Sequence, residues 1–231
     1  MKKICVLFLV LCICSCKKTW DYEGASGPAN WGNTEENKFC KIGYSQSPID
    51  IKDKFSEGDL EFFYEKSDVE RHKKNHLLQV EFDSRDFLLR GKKKYFVRRF
   101  EFHHPSEHLV GGKAHSLEMQ IYHKSEDEQW LAVAIFLDVG AENPDFNQVI
   151  AALNLKNKDV KVDLSDIVNE KDKLFFYEGS LTVPPCREGV KWYVMETPIE
   201  ISKEQMKQVI KDGIFAKSNA RPVQKFHPEK Y

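Results

Sequence analysis

Arg99-Phe100-Glu101-Phe102-His103-His104-Pro105-Ser106-Glu107-His108 is the stretch from which the rest of the chain is read. Aromatic residues alternate with polar ones up to a proline, the pattern of a β-strand with one buried and one polar face. Residues two apart share a face, so Arg99, Glu101 and His103 point one way and Phe100, Phe102 and His104 the other. A His-x-His pair on such a strand gives two imidazoles to one metal ion. Here the pair is Glu-x-His, with an arginine two residues earlier on the same side.

Three segments carry a further pattern: Gln46-Ser47-Pro48-Ile49-Asp50-Ile51 upstream, Pro105-Ser106-Glu107-His108 at the end of this stretch, and Gly179-Ser180-Leu181-Thr182-Val183-Pro184-Pro185-Cys186 downstream. In this order the three segments resemble the signature segments of the α-class carbonic anhydrases, and the similarity runs from about Trp20 to Arg221. The resemblance implies a mostly β fold with peripheral helices (α+β), a large, twisted, mainly antiparallel sheet. It also implies a zinc ion on three histidines, His-x-His from one strand and a third from the next. Those positions fall on Glu101, His103 and Gln120, so two of the three ligands differ. A carboxylate is a legitimate zinc ligand, whereas a neutral amide oxygen is a poor one and suits harder ions. The expected cofactor is therefore none, or weakly bound zinc. By alternation or loop placement His104, His108 and His123 are expected to point away.

Other positions carry over one by one. Thr182 and Glu107 match the pair that orients the zinc-bound hydroxide, and His76 aligns with the proton-shuttle histidine. Glu118 matches the carboxylate behind the third ligand, Leu181 and Trp192 match pocket walls, and Tyr22 matches a rim hydroxyl. Arg99 stands where the family has a neutral amide, and an Arg99–Glu101 ion pair is expected. Tyr122 replaces a small aliphatic residue that lines the carbon dioxide pocket, and its phenol is expected to fill that space.

The 231 residues fit one large domain, and a formal net charge of −1 provides no global field for nucleic acid. At the start, Lys2 and Lys3 precede an apolar run, Ile4 to Ile13, too short for an ordinary membrane span. We read 1–15 as a signal peptide, 16–21 as a lipidated tether and 22–231 as the domain. Ile13-Cys14-Ser15-Cys16 resembles a bacterial lipobox with Cys16 as the lipidated residue; a plain signal peptide cut nearby is the alternative. The expected location is outside the cytoplasm, on a cell or outer membrane, facing periplasm or cell surface. Of six cysteines, Cys40 and Cys186 remain once the leader and Cys16 are set aside. Related secreted enzymes carry a disulfide at what look like these positions, and exported proteins meet oxidising conditions.

Strands are expected over Leu77–Phe82, Phe87–Arg90, Tyr95–His103, Leu117–Tyr122, Trp130–Leu137 and Lys191–Glu196. One helix is expected after the Asn143-Pro144 cap, and another after Ser202 with its capping partner Gln205, ending near Gly213. Gly91-Lys92-Lys93-Lys94 reads as a hairpin turn, where Arg90, Lys92, Lys93, Lys94 and Arg98 form a candidate patch for a polyanionic glycan, a host surface ligand or anionic headgroups. A solvated turn whose lysines resist edge pairing is the simpler reading of the same residues.

Three functions follow: an exported carbonic-anhydrase-like lipoprotein with absent or strongly impaired hydratase activity and a binding role; an active zinc enzyme on Glu101, His103 and Gln120; and an adhesin using the basic turn.

Overall fold

The computed structural model describes residues 20–74, 77–83, 85–154, 159–214 and 217–227. The leader, Cys16 and His76 lie outside the described residues. The strands in chain order are β1 (Asp50–Ile51), β2 (Ser56–Glu57), β3 (Leu60–Phe63), β4 (Lys66–Lys74), β5 (Leu77–Phe82), β6 (Phe87–Arg90), β7 (Lys93–His103) and β8 (Leu109–Val110). They continue as β9 (Leu117–Lys124), β10 (Trp130–Val139), β11 (Lys161–Asp163), β12 (Lys173–Ser180), β13 (Glu188–Met195) and β14 (Ile199–Ile201). The helices are α1 (Phe39–Ile42), α2 (Asn147–Leu153) and α3 (Lys203–Gly213).

One large sheet runs β11-β4-β5-β7-β9-β10-β13-β12-β2, with β14 added to β10 and a β3–β6 flap paired to β7. Its pairings are antiparallel except where β10 meets β13 and β14. A second, small sheet pairs β1 with β8 in parallel. The expected fold class is thus present, and the expected strands form with ends shifted by a few residues. β4 and β12 were not expected. The reason is visible in β4, where Lys66-Ser67-Asp68-Val69-Glu70-Arg71-His72-Lys73-Lys74 is almost entirely polar. Pairing with β5 and β11, rather than intrinsic preference, makes it a strand.

The apolar run of β10 explains why the sheet is covered on both faces. Leu131, Val133, Ile135 and Leu137 enter a core shared with Phe100, Phe102, Met119 and α2 and α3 residues such as Leu153 and Val209. Ala132, Ala134 and Phe136 enter a second core with Ile49, Tyr122, Tyr177 and Trp192. Each fully buried aliphatic side chain contributes about 1.5–3 kcal/mol, so the central strand anchors both layers. Arg99, Glu101 and His103 of β7 and Glu118 and Gln120 of β9 share the face on which Tyr122 enters this second core.

Two signature segments dock directly. Ser47 Oγ accepts from the Ser180 amide at 3.0 Å and from the Tyr177 hydroxyl at 2.8 Å, while Ser180 Oγ accepts from the Ser47 amide at 3.0 Å. Gly179 permits this approach, since a Cβ there would lie 2.1 Å from Ser47 Oγ. The Cys40–Cys186 disulfide is present and closes a sequence separation of 146 residues. Asn143 caps a 3₁₀ turn, Pro144–Phe146, that leads into α2. Ser202 and Gln205 form the full capping box of α3, and Gly213 is its last residue.

Beneath the sheet His123 is fully buried, its Nε2 2.7 Å from the Tyr64 hydroxyl. Burial pushes its pKa down to about 3. The unfolded chain therefore takes up a proton near pH 6.5 that the folded protein refuses. Stability from this group is complete above pH 6.5 and declines as pH falls towards 3, with a slope of up to about 1.4 kcal/mol per pH unit. Between pH 6.5 and 5, urea unfolding of His123→Phe should show a flatter pH dependence than the native protein. Equal slopes would rule out a neutral buried imidazole.

Candidate functional site

Antiparallel pairing sets Glu101 on β7 directly opposite Gln120 on β9, and His103 opposite Glu118. A bulge between Val97 and Arg99 places Arg99 across from Tyr122. All six residues meet on the polar side of these two strands, and Glu101, His103, Glu118, Gln120 and Tyr122 are fully buried.

The expected ion pair is present, with Arg99 Nε 3.1 Å from Glu101 Oε2. Gln79, on β5, donates to the same oxygen at 2.6 Å. Burial alone would raise the Glu101 carboxyl, but Arg99, His103 and Gln79 together hold it at about 2. His103 Nδ1 donates to the Asn219 carbonyl at 2.7 Å and lies 3.4 Å from Glu107 Oε1. Burial would lower this histidine, but the charges of Glu107 and Glu101 and the Asn219 carbonyl lift it to about 9. At neutral pH the ring is protonated on both nitrogens.

Gln120 carries the decisive geometry. Its Nε2 donates to Glu107 at 2.9 Å and to Glu118 at 2.8 Å. Its Oε1, the only atom of the amide able to bind a metal, accepts the Tyr122 hydroxyl at 2.6 Å and faces Thr182 Oγ1 at 3.4 Å. Tyr122 has not turned out of the pocket. Its ring lies under the Arg99 guanidinium, 4.2 Å from centroid to Cζ, and edge-on to Trp192.

A zinc ion of the expected kind needs three converging protein donors. Two are presented here, Glu101 Oε1 and His103 Nε2, 3.9 Å apart and each without a hydrogen-bond partner. The third, Gln120 Oε1, is covered by a phenol. This donor set does not fit tetrahedral zinc. A buried polar atom without a partner costs about 1–3 kcal/mol, so the two bare atoms mark a position where the polar core is incomplete.

Glu118 sits as expected behind Gln120, and it also accepts from the Glu107 and His108 amides at 2.9 and 2.8 Å. With His108 Nδ1 at 2.7 Å as well, its carboxyl is held at about 2 despite burial. Glu107 accepts from the Arg221 amide at 2.8 Å, and burial, aided by Glu118, raises its pKa. Trp192 is buried beside Tyr122, and Leu181 lines the mouth. Tyr22 is not at an open rim. It is buried against Trp20 and Trp31, within electrostatic reach of Glu107 and Glu101.

As expected, His104, His108 and His123 do not converge on the centre. They bond instead to the Ser116 carbonyl, to Glu118 with Tyr177, and to Tyr64. Asn219, Arg221 and Gln79 are structural members of the site that the sequence reading missed. Arg221 bonds the carbonyls of Ser47 and Cys40 at 2.6 and 3.1 Å. Only Gln79 had a legible signal, a lone amide among apolar residues of an expected strand.

The basic turn does not form one patch. Strand alternation sends Arg90 to Asp59 and over the Phe176 ring, and Lys93 to Asp127. Lys94 and Arg98 stand on the opposite face over Phe87 and Phe96, and Lys92 is exposed in the turn.

Comparison with known proteins agrees with this architecture. A carbonic anhydrase from Nostoc sp. is 34% identical over 220 residues, covering 89% of this chain and 82% of its own. The α-carbonic anhydrase of Thermovibrio ammonificans in complex with sulfanilamide superposes with a TM-score of 0.80 at 32% identity, covering 90% of this chain and 96% of that one. Dioscorin complexed with ascorbate superposes with a TM-score of 0.79 at 30% identity, covering 89% and 93%. The family model for eukaryotic-type carbonic anhydrase matches residues 26–229, and the chain belongs to that α-type carbonic anhydrase family.

Proposed function

We propose that this protein is an exported carbonic-anhydrase-like domain, lipidated at Cys16, whose carbon dioxide hydration is absent or strongly impaired and whose role is binding. The observation that carries the reading is the Tyr122 hydroxyl on Gln120 Oε1. It occupies the one atom of the Gln120 amide able to bind a metal, while the phenol takes up apolar space beside Trp192. Arg99 supplies, without a metal, a positive charge that holds Glu101 ionised. Dioscorin, a relative complexed with ascorbate, supports ligand binding on this fold. Among the described residues no helix is long and apolar enough to cross a membrane.

His103 Nε2, Glu107 and Thr182 are the features that favour the rival, an active zinc enzyme. In that reading zinc supplies a hydroxide at neutral pH. Metal content decides between them. After incubation of the purified protein with zinc and desalting, mass spectrometry should find far less than one zinc per chain. A value near one would overturn the proposal.

Repair of the ligand set tests the blocking role of Tyr122. Glu101→His with Gln120→His should remain without zinc-dependent hydration, and adding Tyr122→Val should restore it. Restoration by the double change alone would show that the missing ligands, and not the phenol, explain the loss.

A second contact, with a polyanionic glycan, is proposed for Lys92, Lys94 and Arg98, which are exposed. Retention on a heparin column should weaken with added salt and disappear when all three become Ala. Retention unchanged in that variant would exclude the patch.

A further inference from the structure

Arg99 has a donor edge that its own network does not use. Its Nε is spent on Glu101 Oε2, at 3.1 Å. Nη1 and Nη2 have no hydrogen-bond acceptor among the described residues, and neither is a closed-off polar atom of the core. The guanidinium is nevertheless held in place. It lies 4.2 Å over the Tyr122 ring and 5.4 Å from that of Trp130, and only 14% of the side chain is exposed.

Arg99 lines a cavity of about 490 Å³, and this end of the guanidinium opens into it. Strands β4, β5 and β7 give the cavity two cations, Lys73 and Arg99, and one neutral amide, Gln79, already bonded to Glu101. Glu101 and Glu81 act on Arg99 electrostatically, but neither lines the cavity, and no other carboxylate among the described residues does. Trp20, Leu181, Val183 and Pro184 add an apolar wall from outside these strands.

We infer that this cavity binds a small organic carboxylate, its two oxygens end-on to Nη1 and Nη2 of Arg99 and its apolar body against Trp20, Leu181, Val183 and Pro184. The inference rests on the binding role proposed above and names the ligand class for it. A guanidinium presents parallel N–H donors at the spacing of a carboxylate, and with Nε engaged the terminal pair is the fork that remains. Stacking on Tyr122 fixes that fork before the ligand arrives, so little side-chain freedom is lost on binding. A mostly apolar cavity of this size with a few placed polar groups suits an aryl or short acyl body. Lys73, exposed at the same cavity, adds attraction for the anion without a fixed geometry.

The full-length protein in phospholipid nanodiscs should be titrated by calorimetry with benzoate and phenylacetate, with benzamide and inorganic phosphate as comparison probes, and zinc measured in the same samples. At least one carboxylate should bind, about tenfold or more tightly than benzamide. Arg99→Gln with Glu101→Gln removes the ion pair without stranding a buried charge and should weaken binding by about tenfold or more. Arg99→Lys keeps the charge and loses the fork, and should weaken it by about threefold, as should Lys73→Gln. Equal affinity for benzoate and benzamide, phosphate preferred to both carboxylates, or affinity unchanged by the Arg99 substitutions would overturn the inference. Binding found only in zinc-loaded samples would overturn it together with the metal-free reading. Arg99-dependent binding by a protein that also holds one zinc per chain would uphold it while refuting the metal-free reading. No carboxylate binding by zinc-free protein would do the reverse.

Discussion

The register of β7 on β9 is the constraint on which the site depends. Because Glu101 lies opposite Gln120, and Arg99 opposite Tyr122, two residues of each strand form a closed set. Gln120 is held at both ends of its amide, by Glu107 and Glu118 on nitrogen and by Tyr122 on oxygen. A slip of one residue would turn Phe100, Phe102, Met119 and Ile121 out of the main core, so packing on one face fixes chemistry on the other.

The buried charges make physical sense only as a group. Glu101, Glu107 and Glu118 are carboxyl groups in a space that water does not reach, and each alone would be expensive to ionise. Arg99 and His103 are interleaved with them, and hydrogen bonds from the His108 ring and from the main-chain amides of 107, 108 and 221 complete the set. Loss of one partner leaves a charge stranded, which costs more than the pair contributes. Such interdependence explains why Thr182, Glu107 and Glu118 stand in place around a donor set unsuited to zinc. They satisfy each other's polar atoms whether or not a metal is ever bound.

Much of this was legible in the chain. Period-two spacing put Arg99, Glu101 and His103 on one face, and their pairing follows from side-chain length and charge. The cap at Ser202 and the proline after Asn143 marked two helices through local chemistry alone. The coupling of Gln120 to Tyr122 was also within reach, since residues two apart on a strand share a face. What could not be read depends on distant chain. The polar strand β4 is specified by its neighbours. Strand alternation divides the basic turn in a way composition does not reveal. The Asn219 carbonyl reaches His103 from 116 residues away, with no local signal at either end.

That last contact has a consequence for how the molecule comes into being. Residues 219–224 run past the pocket, and Asn219 also bonds the backbone of Phe102 and His104 while Gln224 bonds Pro48. The polar centre is therefore assembled from segments far apart in the polypeptide. A nascent chain that has not yet reached Asn219 has no carbonyl to orient His103 and no Arg221 amide for Glu107. The site is completed only once residues 219–221 have been made, and that segment acts as its closing seam.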